Sequence, residues 1–194
     1  MNRSSRWLVI VTIAIIIGVV FYYLHLNGPD NSQPADKTVV TDEVVKILNK
    51  DLEANYPQTA REVVQFFVRI QKCYYNEKYT EEELVKLAYK ATELFDTELL
   101  TENPFDTYYE QLKDEINAYS AEGKTISQVL IDQHSDVVYS TVDEQKYAEL
   151  NCTYYLKSDK QTAKVKETYI LRKDENDNWK ILGWKKYEES EWEK

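Results

Sequence analysis

The chain opens with an unbroken apolar run and then changes texture twice. Trp7 to Leu26 is 20 residues without a formally charged side chain, His25 counted neutral. At about 1.5 Å per residue, a helix of that length matches a hydrocarbon core about 30 Å thick. Trp7 stands at one boundary, and Phe21, Tyr22 and Tyr23 stand near the other, where amphipathic rings favour the headgroup layer. Arg3 and Arg6 flank only the N-terminal side, which places residues 1–6 in the cytoplasm and the rest of the chain outside it. The run exceeds the roughly 7–15 residues of a cleaved secretory h-region, and no small-residue cleavage pattern follows it. The segment 7–26 therefore reads as a retained transmembrane signal anchor in contact with the lipid bilayer. Residues 27–40, rich in Asn, Pro, Asp and Ser, form a linker.

Helical periods follow, across the first part of a domain at 41–194. Thr41 can cap a segment whose first turn holds Asp42 and Glu43, with Val44, Leu48 and Leu52 on one stripe and Tyr56-Pro57 ending it. Thr59 to Glu62 is a capping box, and Val63, Phe66, Phe67, Ile70, Cys73 and Tyr74 form the broad apolar face behind it. A second box, Thr80 to Glu83, opens a helix with Leu84, Leu87, Ala88, Ala91, Leu94 and Phe95. Pro104 begins another, carrying Phe105, Tyr108, Leu112, Ile116 and Tyr119, with Gly123 as its C-terminal cap.

After Gly123 the period shortens to two. Segments near 125–132, 136–142, 146–157, 162–173 and 178–187 are rich in Val, Ile, Thr and Tyr, with polar turn clusters among their separators. Ala148, Leu150, Cys152, Tyr154 and Leu156 alternate with Tyr147, Glu149, Asn151, Thr153 and Tyr155, predicting one buried and one wetter face. Val165, Tyr169 and Leu171 continue the buried set, and Glu167 interrupts it. Short connections imply antiparallel pairing. The predicted class is α+β: three to four helices packed on a curved antiparallel sheet of four to five strands.

That order, with the polar turn Asp174-Glu-Asn-Asp-Asn178 before Trp179-Lys180-Ile181-Leu182, resembles the nuclear-transport-factor-2-like fold over roughly residues 59–187. In that fold a polar turn followed by Trp-x-Ile or Trp-x-Leu commonly begins the last strand. The resemblance implies a cone of helices on a curved sheet. The chain also resembles a group of uncharacterised bacterial proteins with one N-terminal anchor and an outer domain of this kind. The stretches that carry this are Tyr56-Pro57-x-Thr59-x-Arg61-Glu62-Val63-Val64, Lys72-Cys73-x-Tyr75-Asn76-Glu77, Phe95-Asp96-x-Glu98-Leu99-Leu100 and Leu171-Arg172-Lys173-Asp174. This second resemblance implies placement and fold, and no chemistry.

Composition narrows the chemistry further. The chain has 194 residues and a formal charge of −10. Arg3 and Arg6 are the only charges before residue 28, so 22 of the 24 basic residues stand against all 34 acidic ones beyond it, a formal −12. With no basic stripe along the sequence, phosphates would repel this part of the chain, and no nucleic-acid partner is expected. Phosphate-cradling glycine motifs are absent, and there is no G-x-S-x-G elbow. Two His and two Cys do not make a metal cluster, and His134 reads as an exposed loop residue. No catalytic residue, cofactor or metal ligand is assigned. Cys73 and Cys152 both fall on buried faces, so they can be a disulfide or two buried thiols. Sixteen Tyr are the oddity. Tyr108, Tyr109, Tyr154, Tyr155 and Tyr169, with the inward Glu167, are candidate lining for a pocket between helices and sheet.

Three functions are open to such a chain. It can be a membrane-tethered extracytoplasmic binding or assembly module without catalysis, contacting a protein partner or a second copy. It can be an inner-membrane component of a type IV secretion or conjugation apparatus, whose subunits it resembles in topology. It can be a small-ligand-binding or isomerase-like enzyme of the same fold, with Glu167 as its only candidate base.

Overall fold

The computed structural model describes residues 41–158 and 161–187, all of them within the unit Lys37–Lys194. The expected anchor at 7–26, the expected linker at 27–40 and the acidic end at 188–194 lie outside the described residues. No helix among those described is long and apolar enough to cross a membrane.

The helices come first: α1 Asp42–Leu48, α2 Ala60–Asn76, α3 Glu81–Thr92, α4 Thr97–Glu102 and α5 Phe105–Ala121. Both capping boxes form, with Thr59 and Thr80 accepting from the backbone of Glu62 and Glu83 and receiving the reciprocal carboxylate contact. Thr41 stands at the N-cap of α1 but caps nothing. Its hydroxyl is buried without a partner, and the first turn relies on Asp42 and Glu43 instead. Gly123 adopts φ 57° after α5, a left-handed conformation that glycine enters without steric penalty.

Two details depart from the sequence reading. Helix α4 was not among the expected helices. At six residues it is too short to show a period, and it forms because Asp96 caps it, accepting from the Glu98 N–H at 2.8 Å. Leu94 and Phe95 do not continue the stripe of α3, which ends at Thr92. Instead, residues 94–96 run parallel to the last strand: Ile181 N–H donates to Leu94, and Asp96 N–H donates to Ile181, both at 2.8 Å.

The five strands are β1 Thr125–Ile131, β2 Val138–Val142, β3 Gln145–Lys157, β4 Thr162–Lys173 and β5 Trp179–Lys186. All ladders are antiparallel, in the order β1-β3-β4-β5, with β2 also on β3. The 13-residue β3 is long enough to hold β2 along its first half and β1 along its second. A short 3₁₀ turn, His134–Asp136, steps the chain between them. The α+β expectation thus holds, with five helices and five antiparallel strands among the described residues.

Period-two alternation in β3 buries Ala148, Leu150, Cys152, Tyr154 and Leu156 against the helices. Tyr169, Leu171, Trp179 and Ile181 extend that surface across β4 and β5. Helix α2 crosses it with Val63, Val64, Phe67 and Ile70, all nearly free of solvent contact. Phe67 meets Phe95 edge-on at 5.4 Å and Tyr169 at 6.1 Å between ring centroids, so the helix and sheet interlock through rings of opposed quadrupole orientation.

Candidate functional site

Register decides what faces the helices. Cys152 pairs with Glu167, Leu150 with Tyr169 and Tyr154 with Val165, so Tyr154, Glu167 and Tyr169 share the inner face of neighbouring strands. Above them, Gln71 lies one turn beyond Phe67 on α2, the polar position in an otherwise apolar stripe. The hydroxyl of Tyr154 donates to Gln71 Oε1 at 2.8 Å and lies 2.7 Å from the hydroxyl of Tyr169. The Tyr169 hydroxyl in turn lies 3.3 Å from Glu167 Oε2.

Counting protons orders this chain. Each tyrosine has one hydroxyl hydrogen, and that of Tyr154 is committed to Gln71. The 2.7 Å contact with Tyr154 and the contact with Glu167 then compete for the hydrogen of Tyr169. Tyr169 donates to Glu167 Oε2 when the carboxyl is ionised, and the amide nitrogen of Gln71 donates to the Tyr169 hydroxyl at 3.5 Å. Protonation of Glu167 frees the Tyr169 hydrogen for the contact with Tyr154.

A second wall closes on the same point. Tyr75 of α2 and Tyr119 of α5 stack with ring centroids 4.4 Å apart, and the carboxyl of Glu115 on α5 interacts with the Tyr75 hydroxyl. Much of the Glu115 residue is open to solvent, yet its carboxyl sits among these rings, and its pKa is raised by that burial against the pull of Tyr75 and Lys124. Burial also raises Glu167. The hydrogen bond from Tyr169 opposes the rise, the charge of Glu115 adds to it, and the group ends at about 7. Tyr119 feels both carboxylates. The result is a nest of tyrosine hydroxyls with one carboxyl on the sheet and one on a helix, the sheet carboxyl poised to exchange a proton near neutral pH.

The predicted lining is therefore divided. Tyr154, Glu167 and Tyr169 come together. The Tyr108 hydroxyl meets that of Tyr74 at 3.2 Å, and its ring meets Phe95, in the layer between helices. Tyr109 donates outward to Glu81 Oε1 at 2.6 Å. Tyr155 points to the opposite face of the sheet, beside Gln128, as a residue adjacent to Tyr154 on a strand must. Gln71, Tyr75, Glu115 and Tyr119 are not among the lining residues that the sequence predicts. Gln71 carried one signal, a lone polar residue at i+4 from Phe67.

Cys73 and Cys152 are both buried with free thiols, and each has its own set of charged neighbours. Burial pushes the Cys73 thiol up to about 12, with Glu43 and Glu77 adding and Arg69 and Lys72 opposing. The Cys152 thiol is raised by burial, then by Glu167 and Asp132. His134 lies exposed in the 3₁₀ turn. No group of three metal-binding side chains occurs among the described residues.

A second, structural polar cluster sits at the edge of β5. The guanidinium of Arg172 grips both carboxylate oxygens of Asp96 and reaches Glu98 at 2.9 Å. Asp96 is 4% exposed, so this pair is largely desolvated.

Comparison with protein families gives a match over nearly the whole chain. The family model described as Domain of unknown function (DUF6715) matches residues 1–184. No curated protein matches the chain.

Proposed function

The chain belongs to the family described as Domain of unknown function (DUF6715), and from that premise we propose that it is a membrane-tethered extracytoplasmic binding module whose ligand enters the tyrosine and carboxyl nest. The uncharged 7–26 segment behind Arg3 and Arg6 supports the tether and its orientation. Helices ahead of an antiparallel sheet, and Trp179-Lys180-Ile181 after the 174–178 turn, support a nuclear-transport-factor-2-like cone. The resemblance to anchored bacterial proteins supports a bacterial cell membrane as the setting.

One observation carries the binding reading. Glu167 ends a buried hydrogen-bonded series that runs through Tyr169 and Tyr154 to Gln71, and its pKa of about 7 leaves either protonation state within reach. A ligand that brings a positive charge or a strong hydrogen-bond donor replaces that proton and stabilises the carboxylate. Tyr75, Tyr119 and Trp184 supply aromatic surface around the same point, suited to the apolar body of such a ligand.

Thermal unfolding of the full chain in detergent, with a panel of alkylamines and quaternary ammonium compounds, tests this. Stabilisation should grow between pH 6 and pH 8 and vanish in Glu167→Gln. Equal responses from the wild type and that variant would remove Glu167 from the site.

The same pKa favours a second reading, an isomerase-like enzyme with Glu167 as general base and a tyrosine hydroxyl stabilising the oxyanion. It requires turnover that Glu167→Gln abolishes, whereas the binding module requires only occupancy.

A further inference from the structure

The sequence has no basic run, but the sheet assembles one. On the outer face, away from the helices, Lys164 pairs with Tyr155, Lys166 with Thr153 and Lys185 with Thr168. Alternation brings Lys164 and Lys166 to one side of β4, and the β4–β5 register sets Lys185 next to them. The ammonium of Lys166 lies 3.4 Å from the centroid of the Tyr187 ring. The ion pairs among the described residues involve none of these three lysines. Their facing partners are Thr and Tyr, so no carboxylate lies directly opposite any of them. In a chain of formal charge −10, this is a local reversal of sign.

Its position gives it a partner. Thr41, the first described residue, donates its N–H to Lys78 just past the end of α2. The Asn76 side chain brackets Ile126 at 2.8 and 2.9 Å, tying that end of α2 to the start of β1. Ile126 pairs with Leu156, beside Lys157 and the point where β3 hands over to β4. The chain therefore enters the domain at the end of the sheet that carries the lysines. Fourteen residues, 27–40, separate Thr41 from the apolar segment 7–26, so that end of the domain is the one nearest to it along the chain.

We propose that Lys164, Lys166 and Lys185 dock on anionic phospholipid headgroups, seating the domain on the membrane that anchors it. The proposal rests on the anchored reading of 7–26. Lysines near an anionic leaflet each strengthen attachment by roughly fivefold, and the attraction fades beyond a Debye length of about 8 Å at physiological salt. The rival occupant is the chain's own acidic end, with Glu188, Glu189, Glu191 and Glu193.

The experiment places the full chain in lipid nanodiscs of phosphatidylcholine alone, or with about one-third phosphatidylglycerol, and acetylates amines for mass spectrometry. Lys164, Lys166 and Lys185 should react at least threefold more slowly in the anionic discs at low salt, and recover at 0.5 M salt. Lys86 on α3 and Lys146 at the opposite end of β3 should not change. The double variant Lys164→Glu/Lys185→Glu should abolish the difference at Lys166. Equal labelling in the two discs would overturn the proposal. So would slow labelling in both that deletion of 188–194 releases, since the tail would then be the occupant. A chain that fails to enter discs refutes the anchor instead, and flotation with phosphatidylglycerol vesicles then still reads the lysines.

Discussion

Replacing Arg172 by Met tests how much the domain depends on the ion cluster at the β5 edge. The guanidinium side chain is 22% exposed and that of Asp96 only 5%, so the pair is screened little by water. Arg172 makes a bidentate contact with Asp96 and a third hydrogen bond to Glu98, which is 41% exposed and contributes little. Removing the arginine leaves the Asp96 carboxylate buried with only its cap bond from the Glu98 N–H, and breaking a buried pair in this way costs about 3–5 kcal/mol. For a domain of this size that lowers Tm by roughly 6–20 °C. Chemical and thermal denaturation of the full chain in detergent measure it. The loss should persist at 0.5 M salt, because the pair is desolvated. Arg172→Met/Asp96→Asn should recover at least about 1 kcal/mol, since the orphaned charge is gone while the cap of α4 survives. Lys86→Ala, which breaks an exposed pair with Glu82, should stay within about 0.5 kcal/mol. An Arg172→Met variant within 1 kcal/mol of wild type would refute the claim that this cluster secures the edge.

Two further outcomes follow from the site. Glu167 ionises at about 7 in the native state but near 4.3 when unfolded, so between those values the native state holds the extra proton. That contribution is fully present below about pH 4.3 and is lost as pH rises to 7. Glu167→Gln should therefore remove up to about 3 kcal/mol of pH dependence across this window, read from denaturant midpoints at pH 4.5, 6 and 7.5. Both thiols are buried, so an aromatic disulfide reagent should count none in the native chain and two in denaturant, and reductant should leave Tm unchanged. A reductant-dependent Tm would mean that Cys73 and Cys152 form a bridge.

Local signals were legible wherever the chemistry was local. Both capping boxes predicted helix starts because cap and partner lie three residues apart, and the ends of β3 and β4 followed from strict alternation. Tertiary pairings were not legible in the same way. Leu94 and Phe95 continue the apolar spacing of α3, and only the edge of β5, 87 residues on, explains why the chain leaves the helix there. Glu167 was visible as a charge breaking an apolar face. Glu115 was not, because on a helix full of acids its neighbour Glu167 is distant in sequence. Tyr155 fell on the wrong side of the sheet for a pocket shared with Tyr154, a consequence of the same period that placed Tyr154 correctly. The basic patch was invisible for a related reason: its lysines are spaced by alternation and by register.

The parallel contact between residues 94–96 and Ile181 also sets a timetable for biogenesis. All five helices leave the ribosome before β5 exists, and their apolar faces have no sheet to cover them. At about 5–20 residues per second, Leu94 waits roughly 4–17 seconds for Ile181 to be synthesised. During that interval Phe67 and Phe95 lack the Trp184 ring that later packs on both. The nascent helices are thus a natural client for chaperones, and a ribosome stalled before residue 179 would release a chain without the edge on which α3 and α4 are pinned.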